Sequence, residues 1–150
     1  MRLITPLLVA LLFFAAAVVA QQQKLDGYPI KILSGDQLLL TTGNKKVHLI
    51  KIRGIRVPPL TSYLGQSAKR HLRMLAAGHL IQVTDIRQDD PDLLKGRLRH
   101  GGSDLGLRMI KAGLAVIERS ELREQDIPVY QQAQRQARNS GIGIWGRGSR

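Results

Sequence analysis

Cysteine is absent from the 150 residues. This excludes a disulfide framework, thiolate metal ligands, a thiol nucleophile and a lipidated N-terminal cysteine. Aromatic residues are scarce, with two Phe, three Tyr and one Trp. Phe13 and Phe14 lie near the start, so the rest of the chain holds only Tyr28, Tyr63, Tyr130 and Trp145. That scarcity argues against strong single-strand stacking, which supplies about 1–3 kcal/mol per base. Carboxylates are the third shortage: 11 Asp+Glu stand against 23 Lys+Arg, a formal charge of +12. Such an excess points to an acidic partner, whether nucleic acid, anionic membrane or acidic glycan. Familiar site motifs are also missing. His48, His71, His79 and His100 show no His-x-x-x-His spacing, so no zinc site is expected. Neither Gly-x-Ser-x-Gly nor a P-loop occurs. Asp89, Asp90 and Asp92 read as an acidic surface loop, since no Gly and distant acid follow at EF-hand spacing.

One long apolar run is present. Behind Met1-Arg2, Leu7 to Ala20 carries no charge; Val18-Val19-Ala20 offers small residues, and Gln21-Gln22-Gln23 follows. This reads as a secretory signal peptide over 1–20, cut after Ala20, rather than a membrane anchor. Counted from Leu3, the run reaches only about the lower limit for spanning a bilayer. A secreted or periplasmic location follows, with membrane contact only through an uncleaved leader. Residues 21–150 then form one domain, expected to be a monomer. Removal of Arg2 leaves +11, so the basicity belongs to that domain. At 43% hydrophobic, the chain has an ordinary globular composition.

Along the domain, Tyr28–Leu33, Gln37–Thr42 and Lys45–Ile55 alternate as strands, separated by the turn signals Ser34-Gly35-Asp36 and Gly43-Asn44. Asp36 is first of all a turn residue there, and Lys51, Arg53 and Arg56 fit a solvated sheet face. Pro58-Pro59 stops the sheet. Over Ser62–Ala77 the period becomes helical through Leu64, Ala68, Leu72 and Leu75, with Gly78 at the C-terminal end. His79–Ile86 returns to strand, Gln88–Lys95 reads as loop, and Gly96–His100 as a short fifth strand. Ser103 is the expected N-cap of a helix Asp104–Ala112 closed by Gly113. Leu114–Ile117 is a short apolar run, and Asp126–Asn139 a polar helix with Pro128 in its first turn. The order fits an α+β fold, mainly a β barrel of five OB-type strands with about three helices, although periodicity alone does not choose it over another α+β arrangement. Leu49, Ile55, Leu72, Leu75, Val83, Ile110 and Trp145 are expected inside, Trp145 as a plug with Ile142 and Ile144.

Five segments in this order resemble the staphylococcal-nuclease (thermonuclease) family, from about Ile30 to Trp145. They are Ser34-Gly35-Asp36-Gln37; Lys51-Ile52-Arg53-Gly54-Ile55-Arg56-Val57-Pro58-Pro59; the helix spacing Gly65, Ala68, Leu72, Leu75, Gly78; Leu107–Ala115; and Ala133–Trp145. The resemblance implies a calcium ion between carboxylates, a glutamate near the attacking water and two arginines on the phosphate. On this chain only Asp36 keeps its carboxylate, as a vestigial metal ligand. Arg56 stands where a second carboxylate is implied, and Pro59 where the glutamate is implied. Lys51 takes one arginine position without the planar fork, and Arg97 of Gly96-Arg97 is the candidate for the other, in a segment shorter than the family's.

The resemblance implies that Asp36, Lys51 and Arg56 lie close together. With Arg97 they bring one negative and three positive charges, a formal sum of +2. Such a pocket repels a divalent cation and attracts phosphate, and Arg56 is expected to pair with Asp36. The reading is a catalytically impaired domain binding nucleic acid or another polyanion through Lys51, Arg53, Arg56 and Arg97, with no cofactor expected. The alternatives are an active phosphodiesterase that uses calcium, with Lys51 and Arg97 on the phosphate, and an envelope protein-interaction module.

Overall fold

The computed structural model describes residues 23–148. The signal-peptide reading of 1–20 lies outside them. Among the described residues no helix is long and apolar enough to cross a membrane.

Strand β1 (Leu25–Ile32) runs antiparallel to β2 (Gln37–Thr42), and β2 to β3 (Val47–Ile52). After the short β4 (Ile55–Arg56) comes helix α1 (Tyr63–Ala76). The chain returns as β5 (Ile81–Asp90) beside β1 and turns back as β6 (Leu93–His100). β6 then lies parallel to β3, with Ile50 opposite Leu94, Lys51 opposite Lys95 and Ile52 opposite Gly96. That pairing closes β3-β2-β1-β5-β6 into a ring, the five-stranded arrangement expected. Short β7 (Ser103–Asp104) leads into α2 (Leu105–Lys111), and β8 (Val116–Ile117) pairs with β4. Helix α3 (Ile127–Asn139) and a helical turn at Gly143–Trp145 end the fold.

Local sequence explains much of this. Leu38 and Leu40 alternate inward from β2 and are fully buried. Ser62 caps α1, its hydroxyl accepting the Gly65 N–H at 3.0 Å. Ala68, Leu72, Leu75 and Ala76 form the buried stripe of α1, and Gly78 supplies the left-handed φ of +77° after it. Pro128 sits in the first turn of α3, where its missing N–H costs no hydrogen bond. Ile55, Leu72, Leu75, Val83 and Ile110 are buried as expected.

Four details differ. β3 turns Ile50 and Ile52 inward, leaving Leu49 half-buried; each face of Val47–Ile52 carries two apolar residues and one polar one, and ring closure chooses between them. The expected loop Gln88–Lys95 is instead the end of a hairpin whose strands reach Asp90 and Leu93. Asp90 Oδ1 accepts the Asp92 N–H at 2.9 Å, so the acidic residues make the tight turn itself. Asp104, not Ser103, caps α2, accepting the Leu107 N–H at 3.0 Å. Trp145 is half-buried against Arg138, whose guanidinium carbon lies 5.4 Å from the indole centroid.

Candidate functional site

The Ser34-Gly35-Asp36 turn is pressed onto α1. A Cβ on Gly35 would stand 2.5 Å from that of Ala68, so only glycine allows the approach. The turn holds Asp36 almost buried, at 7% exposure. Its Oδ1 accepts the Ser34 hydroxyl at 2.6 Å, and its backbone carbonyl accepts the Ile52 N–H at 2.8 Å. Lys51, register partner of Gln37, brings its Nζ to 3.9 Å from Asp36 Oδ2. Asp36 and Lys51 are thus brought together. Arg56 is exposed, and no ion pair joins it to Asp36; the carboxylate is occupied by Ser34 and Lys51 instead. Pro59 has become a brace for α1: its carbonyl accepts the Ser62 N–H at 3.0 Å and the Ser62 hydroxyl at 2.8 Å.

These residues do not fit calcium. A hard cation of that size takes six to eight oxygens, most from carboxylates and carbonyls. Asp36 offers one carboxylate with a serine on one oxygen and an ammonium near the other. Among the described residues no group of three His, Cys, Asp or Glu could hold a metal ion.

Behind Lys51 lies a cleft of about 60 Å³ lined by Lys51, Ile52, Arg53, Lys95, Glu118 and Glu121. Lys95 enters because β6 runs parallel to β3 at Lys51. Its ammonium is 3.2 Å from Glu121 Oε1 and 3.4 Å from Asp89 Oδ2. Hydrogen bonds to Glu121 and Asp89 raise the Lys95 pKa above the ordinary lysine value. Arg53 is committed internally: Nη1 donates to the Asp85 carbonyl at 2.7 Å, Nη2 to the Glu121 carbonyl at 3.0 Å.

Arg97 anchors a second set of charges. Its Nε donates to Asp104 Oδ2 at 2.6 Å and its Nη1 to Asp126 Oδ1 at 2.9 Å. Burial alone would lower the Arg97 pKa, but the bond to Asp104 and the charges of Asp104 and Asp126 hold it raised. Asp104, 7% exposed, also accepts the Tyr130 hydroxyl at 3.0 Å while capping α2. Burial and then the Asp104 charge push the Tyr130 phenol pKa strongly upward. Arg123 continues the seam, bonded to Asp126 at 2.8 Å and Asp85 at 3.1 Å. Burial would raise the Asp126 pKa, yet Arg123 and Arg97 bring it below the ordinary value. Asp85 itself adopts a left-handed φ of 52° to reach this seam. Arg53 and Arg97 therefore meet carboxylates and carbonyls of their own chain and Lys51 meets Asp36, whereas Arg56 is exposed.

Lys95, Glu121 and the seam were not legible as a site, because ring closure and the 118–126 segment assemble them across long sequence separations. The opposite distribution holds on the helices. α1 carries Lys69, Arg70 and Arg73, α2 carries Arg108 and Lys111, α3 carries Arg135 and Arg138, and none of the three contains Asp or Glu.

Residues 46–147 match the family model described as staphylococcal nuclease homologue. Asp36 lies just before that span. A protein of Haemophilus influenzae named an uncharacterized endonuclease is 28% identical over 136 residues, covering 90% of this chain and 74% of that one.

Proposed function

The chain belongs to the family of staphylococcal nuclease homologues, and from that membership we propose a catalytically impaired domain that binds nucleic acid or another polyanion through a basic surface. Calcium is the family's usual metal. The observation that carries the reading is the Asp36 carboxylate, held by Ser34 and Lys51 with no second acid beside it. Lys51 and Arg56 are the phosphate contacts of this reading. Arg53 and Arg97 serve it indirectly, by fixing the strands behind Lys51. Binding is electrostatic, so affinity falls steeply as salt rises.

The proposal includes secretion or residence in the periplasm after cleavage behind Ala20, which N-terminal sequencing of the mature protein checks by reading Gln21. Incubation with DNA and with RNA, in calcium and then in chelator, tests the impairment; retention of labelled DNA at low and high salt tests the binding. We expect salt-sensitive retention without chelator-sensitive cleavage. Chelator-sensitive cleavage by the wild type, abolished by Asp36→Ala, establishes the active phosphodiesterase instead, the reading favoured by the endonuclease name of the H. influenzae relative. No retention at low salt removes nucleic acid as the partner.

A further inference from the structure

The outward face of α1 carries an arrangement that the nuclease pocket does not use. Tyr63, in the first turn, is 78% exposed, the largest exposure among the big apolar and aromatic residues described. Two turns on, Arg70 lies over its ring, guanidinium carbon to centroid 5.8 Å. Ser67 fixes that arginine, accepting its Nη2–H at 2.8 Å. Gln66 and Arg73 are exposed on the same helix, whose other side buries Gly65, Ala68, Leu72, Leu75 and Ala76. Tyr63 to Arg73 spans about 15 Å at the helical rise. No carboxylate on α1 competes for either arginine. The strip also begins beside the inherited pocket: Ser62, the cap preceding Tyr63, bonds to Pro59, and Gly65 packs so closely on Pro58-Pro59 that a side chain would collide with the Pro59 carbonyl.

An exposed ring with a guanidinium at its face, followed by a second free cation, has the chemistry of a single-strand platform. The ring offers a π-face to a base, the arginines meet the flanking phosphates, and every base stacks, so no sequence is read. A purely anionic ligand uses the arginines and ignores the ring. We propose that the Tyr63–Arg70–Arg73 face of α1 binds single-stranded nucleic acid, extending the Lys51–Arg56 region along the helix. This rests on the polyanion-binding reading above.

The test is fluorescence anisotropy of the purified chain with labelled oligothymidylate, with inorganic polyphosphate as competitor, across salt, and with thermal melts confirming folded variants. Tyr63→Ala should weaken oligothymidylate roughly fivefold or more while polyphosphate affinity stays unchanged, and Tyr63→Phe should restore it. Arg70→Ala/Arg73→Ala should weaken both ligands and flatten the log–log salt slope for the single strand by about 1.4. Wild-type affinity in all of these variants overturns the α1 platform while leaving polyanion binding to another surface. Absence of any wild-type binding at low salt overturns both readings. If the same variants instead abolish binding to phosphatidylglycerol vesicles and leave oligothymidylate unaffected, the face is a membrane surface and the proposal fails.

Discussion

Arg97 and Arg73 carry the same guanidinium into opposite settings. Arg97 lies between Asp104 and Asp126, part of a seam that continues through Arg123 to Asp85 and passes Tyr130. Arg73 projects from a helix without a single acidic residue. Eight of the 11 acids of the sequence lie in the β5–β6 hairpin and the 118–126 segment, where Arg53, Lys95, Arg97 and Arg123 meet several of them. The formal charge of +12 is therefore a poor guide to what a ligand feels. In the proposed reading the seam cations are neutralised and architectural, Lys51 is shared with Asp36, and the exposed Arg56 and the helix cations supply most of the field that would draw an anion. The carboxylates of the seam, Asp85, Asp104 and Asp126, are bound to Arg97 and Arg123 and are distinct from Asp36 at the first turn.

The largest effect that can break this division is expected at Asp104. Asp104→Ala removes the cap of α2, leaves the buried Tyr130 hydroxyl without its acceptor and leaves Arg97 with Asp126 alone, a loss of about 3 kcal/mol. Urea unfolding measures it, and DNA affinity of the folded fraction should be unchanged. Arg97→Ala should follow at about 2 kcal/mol, because Asp104 then lacks its charged partner but keeps Tyr130 and the Leu107 N–H. If Arg97→Ala instead loses anion affinity and keeps its stability, the residue belongs with the binding cations and the division fails. By contrast, Arg70→Ala/Arg73→Ala should move stability by no more than about 0.5 kcal/mol per site, as expected for exposed positions.

The smallest effect is a pH dependence on the helical side. His71 of α1 has its pKa lowered from 6.5 by burial and then by the charge of Arg108. Its folded-state pKa lies below the unfolded one, so protonation favours unfolding. The His71 contribution is fully present above the unfolded pKa and is lost as pH falls through the lower folded value. His71→Gln should flatten the stability curve in that window, measured by thermal melts between pH 5 and 7.5, roughly the histidine range.

What the sequence revealed was local. Gly78 ends α1 because a left-handed glycine is readable from one residue, and the spacing of Leu64, Ala68, Leu72 and Leu75 marks the helix before it; the Ser62 cap emerged only from the structure. The antiparallel run of the first three strands and the Gly35–Asp36 turn followed from alternation and turn chemistry. Long-range geometry was hidden. Nothing near Lys95 announces that parallel closure will set it beside Lys51, and nothing near Gly96-Arg97 announces Asp126. Leu49 and Ile50 offered two equally apolar faces, and only the closed ring decides between them. Arg56 looked like a partner for Asp36 because both flank one pocket in the resembled family, yet Ser34 and Lys51 reach that carboxylate instead.

The most direct measurement of the central claim is calorimetric titration of the chain with calcium, alone and with a nucleoside diphosphate, beside the Arg56→Asp/Pro59→Glu variant. We predict no calcium heat for the wild type in either condition, and a measurable gain in affinity when the two acids are introduced. Tight calcium binding by the wild type alone, abolished by Asp36→Ala, would contradict the account.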